Sequence, residues 1–336
     1  MFTNILDSNT VVRPEPGMIV GPISNFLGFI LDFIYNMFYF IAPGAALGLA
    51  IIFFTIIIRC LLLPLAIKQH KSMVKMRELK PEIDKINKKF EGKKSPDDLK
   101  AKNIETQKLY AERKVNPLAG CLPALVQWPI FITLFSMFQS PFAYITRLRD
   151  AYGNIVSEMM QIPNWYAPIR DIYELSQAKI TAVEGINISE TSNLIRLIFT
   201  YSMDDWQLYF NEIAPNYVTS LESLIEVTRN LETFLGMDMV APAMFNFPAI
   251  LLPVITAISS FFMSHFMFKR NPIDPNAPGA SLQKSMMYMM PVIMAVITFV
   301  SPAALGLYWV VSNLFQVAQQ IILDKMLSPK DVEVIG

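Results

Sequence analysis

Six candidate site residues are polar side chains inside apolar runs that are otherwise long enough to cross a membrane. The first run extends from Pro43 to Leu65 and contains Arg59, with Thr55 one helical turn earlier on the same face. An arginine at membrane depth costs about 2.5–3.5 kcal/mol on insertion-derived scales, so it usually faces a water-filled cavity or a partner. The amides of the later runs are Gln127, Asn313, Gln316 and Gln320. Such groups would line a hydrated, net-positive groove that attracts acidic polypeptide segments.

Two other interpretations of these residues remain open. Arg59 precedes Lys68 by nine residues, so its guanidinium can instead bend toward the cytoplasmic headgroups. The amides and the Thr55 hydroxyl can equally form hydrogen bonds between helices. None of the predicted membrane spans contains an Asp or a Glu that could neutralise Arg59.

Catalysis by an activated nucleophile is not expected. The sequence has two histidines, His70 and His265, each at the cytoplasmic end of a predicted span. They are not accompanied by a Gly-x-Ser-x-Gly motif or by paired carboxylates within the membrane. Metal-ligand spacing and a glycine-rich phosphate loop are also missing. We therefore expect neither an enzyme nor a metal or other cofactor.

The composition is that of a membrane protein with several spans. Hydrophobic residues make up 53% of the 336 residues and charged residues 17%, against about 25% in soluble domains. Segment 68–116 carries 15 Lys/Arg and 8 Asp/Glu, whereas segment 140–246 carries 6 and 13. Cytoplasmic loops carry the excess of Lys and Arg. The first segment is therefore predicted inside and the second outside, with the N-terminus outside and the C-terminus in the cytoplasm.

We predict an all-α membrane protein with five transmembrane helices. The predicted transmembrane helices are 43–67, 118–139, 247–268, 284–300 and 303–323. The other predicted segments are an extracytoplasmic tail (1–22), an amphipathic interfacial helix (23–41), a cytoplasmic helical hairpin (68–116), an extracytoplasmic insertion (140–246), a cytoplasmic loop (269–283) and a cytoplasmic tail (324–336).

Segment 23–41 is assigned to the membrane interface because its polar residues share one helical face. They recur every three or four positions: Asn25, Gly28, Asp32, Asn36 and Tyr39. A strongly amphipathic pattern with few charges is typical of a helix that lies in the plane of the membrane surface. A sixth transmembrane helix is the alternative.

The hairpin prediction depends on a helical seam and a break. Apolar residues repeat at helical spacing before the break: Met73, Met76, Leu79, Ile83, Ile86 and Phe90. Ser95 is the predicted N-cap of the second helix, with Pro96 at its first position. Two charged helices joined by a short turn are expected to pack in antiparallel fashion.

Three regions of the sequence carry recognisable motifs. They are IIIRCLLLPLAIKQHKSMVKMRELKPEIDKI at 56–86, QKLYAERKVNPLAGCLPALVQWPIFITLF at 107–135 and MMYMMPVIMAVITFVSPAALGLYW at 286–309, continued by ALGLYWVVSNLFQVAQQ at 304–320. In these regions the sequence resembles a known family, the YidC membrane protein insertases of bacteria, and in particular the Gram-positive type. These motifs follow the order of that family and, with the Pro-rich turn after the third span, cover roughly 60% of the chain.

The resemblance implies a groove that is open to the cytoplasm and to lipid and closed on the outer side, with Arg59 as its arginine. It implies that the hairpin receives client proteins and that the partners are nascent membrane proteins, the ribosome, the Sec translocon and the lipid bilayer, without specific nucleic acid. The chain departs from the family pattern in three ways. It lacks the large soluble domain that precedes the first core span in Gram-negative members, its tail after Leu327 is short and not basic, and segment 140–246 is far longer than the usual link.

The function expected on these grounds is a membrane protein insertase and chaperone of the bacterial cell membrane, acting alone or with the Sec translocon. Lowering the cost of moving a hydrophilic tail through a low-dielectric layer would be its physical task. The alternative is an anion channel or transporter that uses Arg59 as its binding site, although we find no internal repeat of the transporter kind. A scaffold built around segment 140–246 is a third interpretation.

The charge asymmetry predicts the topology directly. In a variant without Cys60 and Cys121, a cysteine at Lys88 should be labelled by a membrane-impermeant thiol reagent from the cytoplasm only. A cysteine at Thr10 should be labelled from the outside only. Labelling of position 88 from outside would refute the topology, and labelling of position 10 from the cytoplasm would support the sixth span.

Overall fold

The computed structural model describes residues 20–92, 95–113, 115, 122–165, 167–169, 191–245, 247–270 and 280–326. The predicted tails, most of the predicted cytoplasmic loop and residues 170–190 of the insertion lie outside the described residues. The described chain is helical apart from two short strands.

The helices follow in chain order with little between them. They are α1 (Val20–Ile41), α2 (Ala46–Leu61), α3 (Leu63–Glu78), α4 (Lys80–Lys89), α5 (Pro96–Glu112), α6 (Leu122–Gln139), α7 (Thr146–Met159), α8 (Thr191–Phe199), α9 (Met203–Glu212), α10 (Pro215–Glu232), α11 (Leu251–Arg270), α12 (Ala280–Val300) and α13 (Ala303–Met326). Strands β1 (Thr233–Phe234) and β2 (Met237–Asp238) form one antiparallel hairpin, and short 3-10 turns occupy Pro43–Ala45, Pro141–Ala143 and Ala243–Phe245.

Among the described residues, three helical stretches are long and apolar enough to cross a membrane. They are Gly21–Ile41, Pro43–Leu61 and Leu251–Lys269, and a shorter apolar helix covers Met287–Val300. About 20 helical residues reach across a hydrocarbon core of about 30 Å. The chain is therefore an all-α membrane protein, while the count of five transmembrane helices stays a prediction.

Prolines break the helices that the apolar pattern alone would continue. The predicted first span, 43–67, begins with a 3-10 turn and is divided at Leu62, after which α3 starts with Pro64 in its first turn. The predicted first helix of the hairpin is likewise divided at Leu79, with Pro81 in the first turn of α4. Proline lacks the N–H donor of a helix interior but fits a first turn, so the breaks fall just before each proline.

The described chain divides into two compact units. Unit one contains the described parts of Met1–Phe54, Ile132–Ala249 and Ser301–Leu305. Unit two contains the described parts of Thr55–Phe131, Ile250–Val300 and Gly306–Gly336.

In unit one, the polar stripe of α1 contacts the insertion. The Asp32 carboxylate accepts hydrogen bonds from the backbone N–H of Thr146 at 2.8 Å and from its hydroxyl at 3.2 Å. Nε of Arg147 donates to Asn36 at 2.7 Å, and its guanidinium lies 4.0 Å from the ring centroid of Tyr39. The polar stripe that suggested an interfacial helix therefore contacts other residues of the protein, at the start of α7.

The opposite face of α1 is apolar and exposed. Its large side chains recur at helical spacing: Phe26, Phe29, Phe33, Met37 and Phe40. Close packing of the stripe is helped by Gly28, where an added Cβ would lie 2.6 Å from the Tyr144 ring. Helix α1 thus has the length and the outward apolar face of a membrane-crossing helix. Whether it lies in the interface or forms a sixth span is tested by the thiol labelling of position 10.

In unit two, the predicted hairpin has the core that its seam predicts. Ser95 caps α5 by accepting the N–H of Asp98 at 3.1 Å, and Pro96 occupies the first helical position, which confirms the predicted start. The buried cluster consists of Leu79, Ile86, Leu109 and Val115, with Met76, Ile83, Phe90 and Tyr110 packed against it. Exposed ion pairs, Lys89–Glu105 at 2.8 Å and Arg113–Glu82 at 2.6 Å, contribute little beside this core.

Also in unit two, α11, α12 and α13 approach closely at Gly306. A Cβ at Gly306 would lie 2.6 Å from Cγ2 of Thr298 on α12 and 3.1 Å from Cβ of Leu252 on α11. Small residues at helix crossings allow this approach in membranes, where packing replaces the hydrophobic effect. The glycine of the ALGLYW motif is thus a packing residue.

A buried acid lies in the insertion within unit one. Glu232, at the end of α10, is 3% exposed and accepts the hydroxyl of Tyr152 at 2.9 Å. Burial raises the pKa of Glu232 from 4.5 to about 8, and the nearby Asp238 adds to the rise, while the Tyr152 hydrogen bond and Arg229 oppose it. Glu232 is therefore largely protonated at neutral pH in the folded protein.

This raised pKa predicts a pH-dependent stability of the insertion. Between about pH 4.5 and 8 the folded state binds more protons at Glu232 than the unfolded state, so the opening free energy falls as pH rises. One proton corresponds to a slope of at most about 1.4 kcal/mol per pH unit. Amide hydrogen exchange of α7 and α10 in the full chain, corrected for intrinsic rates, should show this fall in the wild type and a flatter profile in Glu232→Gln. The exposed Glu226→Gln is the matched control, and an equal slope in wild type and Glu232→Gln would contradict the assignment.

Candidate functional site

Arg59 lies in the last turn of α2, half-buried, and is held by a serine. Its Nε donates to Oγ of Ser312 on α13 at 3.0 Å, and a terminal nitrogen donates to the same oxygen. Ser312 is 1% exposed. The hydroxyl of Tyr308, one turn earlier on α13, also interacts with the guanidinium. The guanidinium is thus fixed by neutral oxygen atoms of one helix.

Further amides extend this polar network to α6. Nε2 of Gln127 donates to the Tyr308 hydroxyl at 3.1 Å, and Gln316 makes a longer 3.5 Å contact with Oγ of Ser312. A stacked pair of rings, Phe131 and Trp309 with centroids 5.7 Å apart, packs α6 against α13 beside these bonds. We call the connected residues Arg59, Ser312, Tyr308, Gln127 and Gln316 the arginine network.

The other three predicted site residues lie beside this network or apart from it. Thr55 is fully buried one turn before Arg59. Nδ2 of Asn313 donates to the hydroxyls of Ser259 and Ser260 on α11, at 3.0 and 2.9 Å. These contacts are interhelical hydrogen bonds of the kind that the alternative interpretation allowed for Asn313.

Gln320 contacts the middle of α3, away from Arg59. Its Nε2 lies 3.2 Å from Nδ1 of His70, whose Nε2 lies 3.4 Å from the Asp324 carboxylate. Arg77 lies 3.8 Å from the same carboxylate. The predicted stripe of Asn313, Gln316 and Gln320 therefore divides among three different neighbours, and Gln320 helps to join the base of the hairpin to the end of α13.

Sequence reasoning missed the two residues that contact Arg59. Ser312 and Tyr308 are common residue types in membrane helices, and neither is charged. Their signal is the spacing of four between Tyr308, Ser312 and Gln316, which repeats on one helical face. That pattern, together with Arg59 in a different span, was the available clue.

The electrostatic state of Arg59 follows from its partners. Among the described residues, the ion pairs involve other cations, and the hydrogen bonds of Arg59 go to hydroxyl oxygen. A guanidinium carries five N–H donors and matches a carboxylate in a bidentate fork. The site can therefore bind a carboxylate without displacing a resident acid. Within the described ranges, no group of three His, Cys, Asp or Glu side chains is arranged to hold a metal ion.

Comparison with known proteins gives the family. The family described as 60Kd inner membrane protein matches residues 38–330. A membrane protein insertase YidC of Oceanobacillus iheyensis is 28% identical over 284 residues, which are 84% of this chain and 76% of the relative. The YidC of Fusobacterium nucleatum is 28% identical over 278 residues, 83% of this chain and 86% of the relative. That of Clostridium tetani is 46% identical over 98 residues, 29% of this chain and 42% of the relative.

The family match includes every helix from α2 to α13, and with them the arginine network and the hairpin. The resemblance noted in the sequence is thereby confirmed, and the chain belongs to the 60Kd inner membrane protein family, that of the YidC membrane protein insertases.

Proposed function

We propose that this protein inserts integral membrane proteins into the bacterial cell membrane and helps them to fold, alone or with the Sec translocon. The observation that carries the proposal is the arginine network, a cation among neutral hydroxyls and amides on helices of a membrane protein. Family membership supports the same function, because the relatives are named membrane protein insertases. Nascent membrane proteins and the lipid bilayer are its first partners, and the ribosome and the Sec translocon are further ones.

In this mechanism, Arg59 attracts the acidic hydrophilic tail of a client. Moving a charged tail across hydrocarbon is costly, and a wet, polar groove shortens the low-dielectric path. Ser312 and Tyr308 orient the guanidinium, so that its remaining donors can pair with a client carboxylate. Thr55, Gln127, Asn313, Gln316 and Gln320 are proposed to line the same groove.

The neutral partners of Arg59 suit transient binding. A resident carboxylate would compete with the client and would hold the groove closed, whereas a serine hydroxyl is a weaker competitor. The tail can also leave again, because one cation in a hydrated site attracts an acid by only about 1 to 4 kcal/mol at 4 Å. Release into the lipid bilayer then needs no nucleotide or metal.

The proposed topology has five spans, with the N-terminus outside and the C-terminus in the cytoplasm. It is supported by packing inside unit one, where the two turns predicted to lie outside both contact the insertion. Strand β1 packs against the turn Pro43–Ala45, and the backbone of Ala241 accepts the N–H of Ala303 at 3.0 Å in the turn that follows α12. An anion channel is not favoured by the family membership of the chain.

Substitution of Arg59 tests the electrostatic mechanism. Arg59→Lys should retain most insertion activity because it keeps the charge and loses mainly the bidentate geometry. Arg59→Ala should lower insertion of a client with an acidic tail by at least about fivefold, the equivalent of about 1 kcal/mol, and should cost little stability. The assay is insertion into proteoliposomes of one client whose tail carboxylates are neutralised stepwise, with the exposed Lys325→Ala as the control.

Clients with neutralised tails distinguish electrostatic attraction from the other roles of Arg59. The defect of Arg59→Ala should shrink as carboxylates are removed from the client. Equal defects for acidic and neutral tails would exclude electrostatic attraction, and unimpaired insertion would favour the snorkelling interpretation. Unfolding of Arg59→Ala would indicate a structural role for the cation, and a gradient-driven anion flux in the same liposomes would favour a channel.

The hairpin is proposed to receive clients before they reach the groove. Ile86→Asp places a charge in its buried cluster and should unfold the hairpin, with a large loss of insertion and with the membrane helices still assembled. Asn103→Asp adds the same charge at an exposed position of α5 and should insert clients normally. Insertion by Ile86→Asp at the control level, with the hairpin shown by proteolysis to be open, would make the hairpin dispensable.

A further inference from the structure

The β-hairpin of the insertion presents an apolar residue at a turn that favours asparagine and glycine. Thr233 pairs with Asp238 and Phe234 with Met237, so the turn consists of Leu235 and Gly236. Both have positive φ, 51° and 76°, as a two-residue hairpin turn of this hand requires. A leucine in this region strains the backbone, because its Cβ lies close to the following carbonyl oxygen. Its side chain is nevertheless 75% exposed.

Phe234, the residue before this turn, packs the hairpin against the first apolar span. Phe234 is buried, and its ring occupies the space that a side chain at Gly48 would need. Gly48 lies about five residues, or roughly 7.5 Å of helix, inside the apolar stretch that begins at Pro43. Strand β1 also contacts the turn Pro43–Ala45. The hairpin therefore packs against the first residues of this apolar stretch, the end at which a span would enter the hydrocarbon layer.

Two phenylalanines before α11 are exposed large apolar residues, as Leu235 is. Phe245 and Phe247 are 77% and 80% exposed. From Met239 to Phe268 the sequence has no Asp, Glu, Lys or Arg, so the uncharged run begins well before α11 starts at Leu251. A membrane span needs about 20 apolar residues. The uncharged run is longer than this, and its extra residues precede α11. Uncharged chain with exposed aromatic rings is suited to the boundary between headgroups and acyl chains.

The backbone of this segment is held in place. The Asp238 carboxylate accepts the N–H groups of Val240 and Ala241, both at 3.0 Å. The Met239 carbonyl accepts the N–H of Ala304 at 2.9 Å, and Ala243 donates to Ser301 at 3.2 Å. Phe245 is thus presented by a fixed backbone next to the turn between α12 and α13.

We propose that Leu235, Phe245 and Phe247, the apolar rim of unit one, insert into the outer leaflet of the membrane and anchor the insertion to it. The partner is the acyl region of the lipid, because the rim is continuous in sequence and in packing with apolar spans and carries no charge. The strain at Leu235 is offset by burial of its side chain in lipid. The assignment to the outer leaflet rests on the proposed topology, whereas lipid contact itself does not.

Site-directed spin labelling tests the rim. The full chain without Cys60 and Cys121 carries one label at position 235, 245 or 247 and is reconstituted at one copy per lipid nanodisc of phosphatidylethanolamine and phosphatidylglycerol. Collisions with oxygen, which concentrates in acyl chains, should exceed those with a water-soluble nickel chelate at all three positions. The matched control is a label at the exposed Asn216, which lies at the start of α10, about 24 Å along the helix from the end that leads into the hairpin. At this position collisions with the nickel chelate should exceed those with oxygen.

Nanodiscs contain no other protein, so they separate lipid from a protein partner. Greater accessibility to the nickel chelate at the three positions would overturn the proposal and would favour a protein that covers the rim in cells. Leu235→Asn tests the side chain apart from the fold, because asparagine adopts positive φ readily. With this substitution, a label at position 247 should shift toward the values of Asn216, and an unchanged label would remove Leu235 from the anchor. The thiol labelling of positions 88 and 10 tests the topology separately.

Discussion

The cost of holding one cation among apolar helices governs the arrangement of unit two. Arg59 cannot be left without polar neighbours at this depth, and no predicted span contributes an acid. The structure provides hydroxyls and amides instead, with Ser312 accepting two guanidinium N–H groups and Gln127 reaching Tyr308. These partners stabilise the charge without neutralising it. Among the described residues, the printed hydrogen bonds of this guanidinium thus go to a hydroxyl and not to a carboxylate.

The insertion solves a different problem, because its helices must be joined to apolar spans at their ends. Polar contacts to α1 fix one side, through Asp32 with Thr146 and Asn36 with Arg147. On another side the joint is apolar, where Phe234 fills the space above Gly48. Glu232 and Tyr152 lie within the insertion, and the buried acid is tolerated because protonation removes its charge. The insertion is therefore an integral part of unit one and not a tethered module.

Much of the local structure could be predicted from the sequence, since its causes are local. The cap at Ser95 and the seam of the hairpin depend on residues within one or two turns, and both are confirmed. Arg59 was recognisable because a charge in an apolar run is rare. Its partner Ser312 was not, since an uncharged serine in a span shows only the weak signal of its spacing from Tyr308 and Gln316, and it lies 253 residues away. The polar stripe of α1 was correctly recognised, but its partners lie 111 to 114 residues later, so its burial by protein could not be read from periodicity.

The order in which the chain is made gives the arginine network one more consequence. Arg59 belongs to an early span, whereas Ser312 and Tyr308 belong to α13, the last helix of the described residues. At a synthesis rate of about 5–20 residues per second, Arg59 waits on the order of tens of seconds for these partners. During that interval the protein is itself a nascent membrane protein with an unsatisfied cation in an apolar segment. Its own biogenesis therefore presents the type of charge-transfer problem that the proposed groove would relieve in its clients.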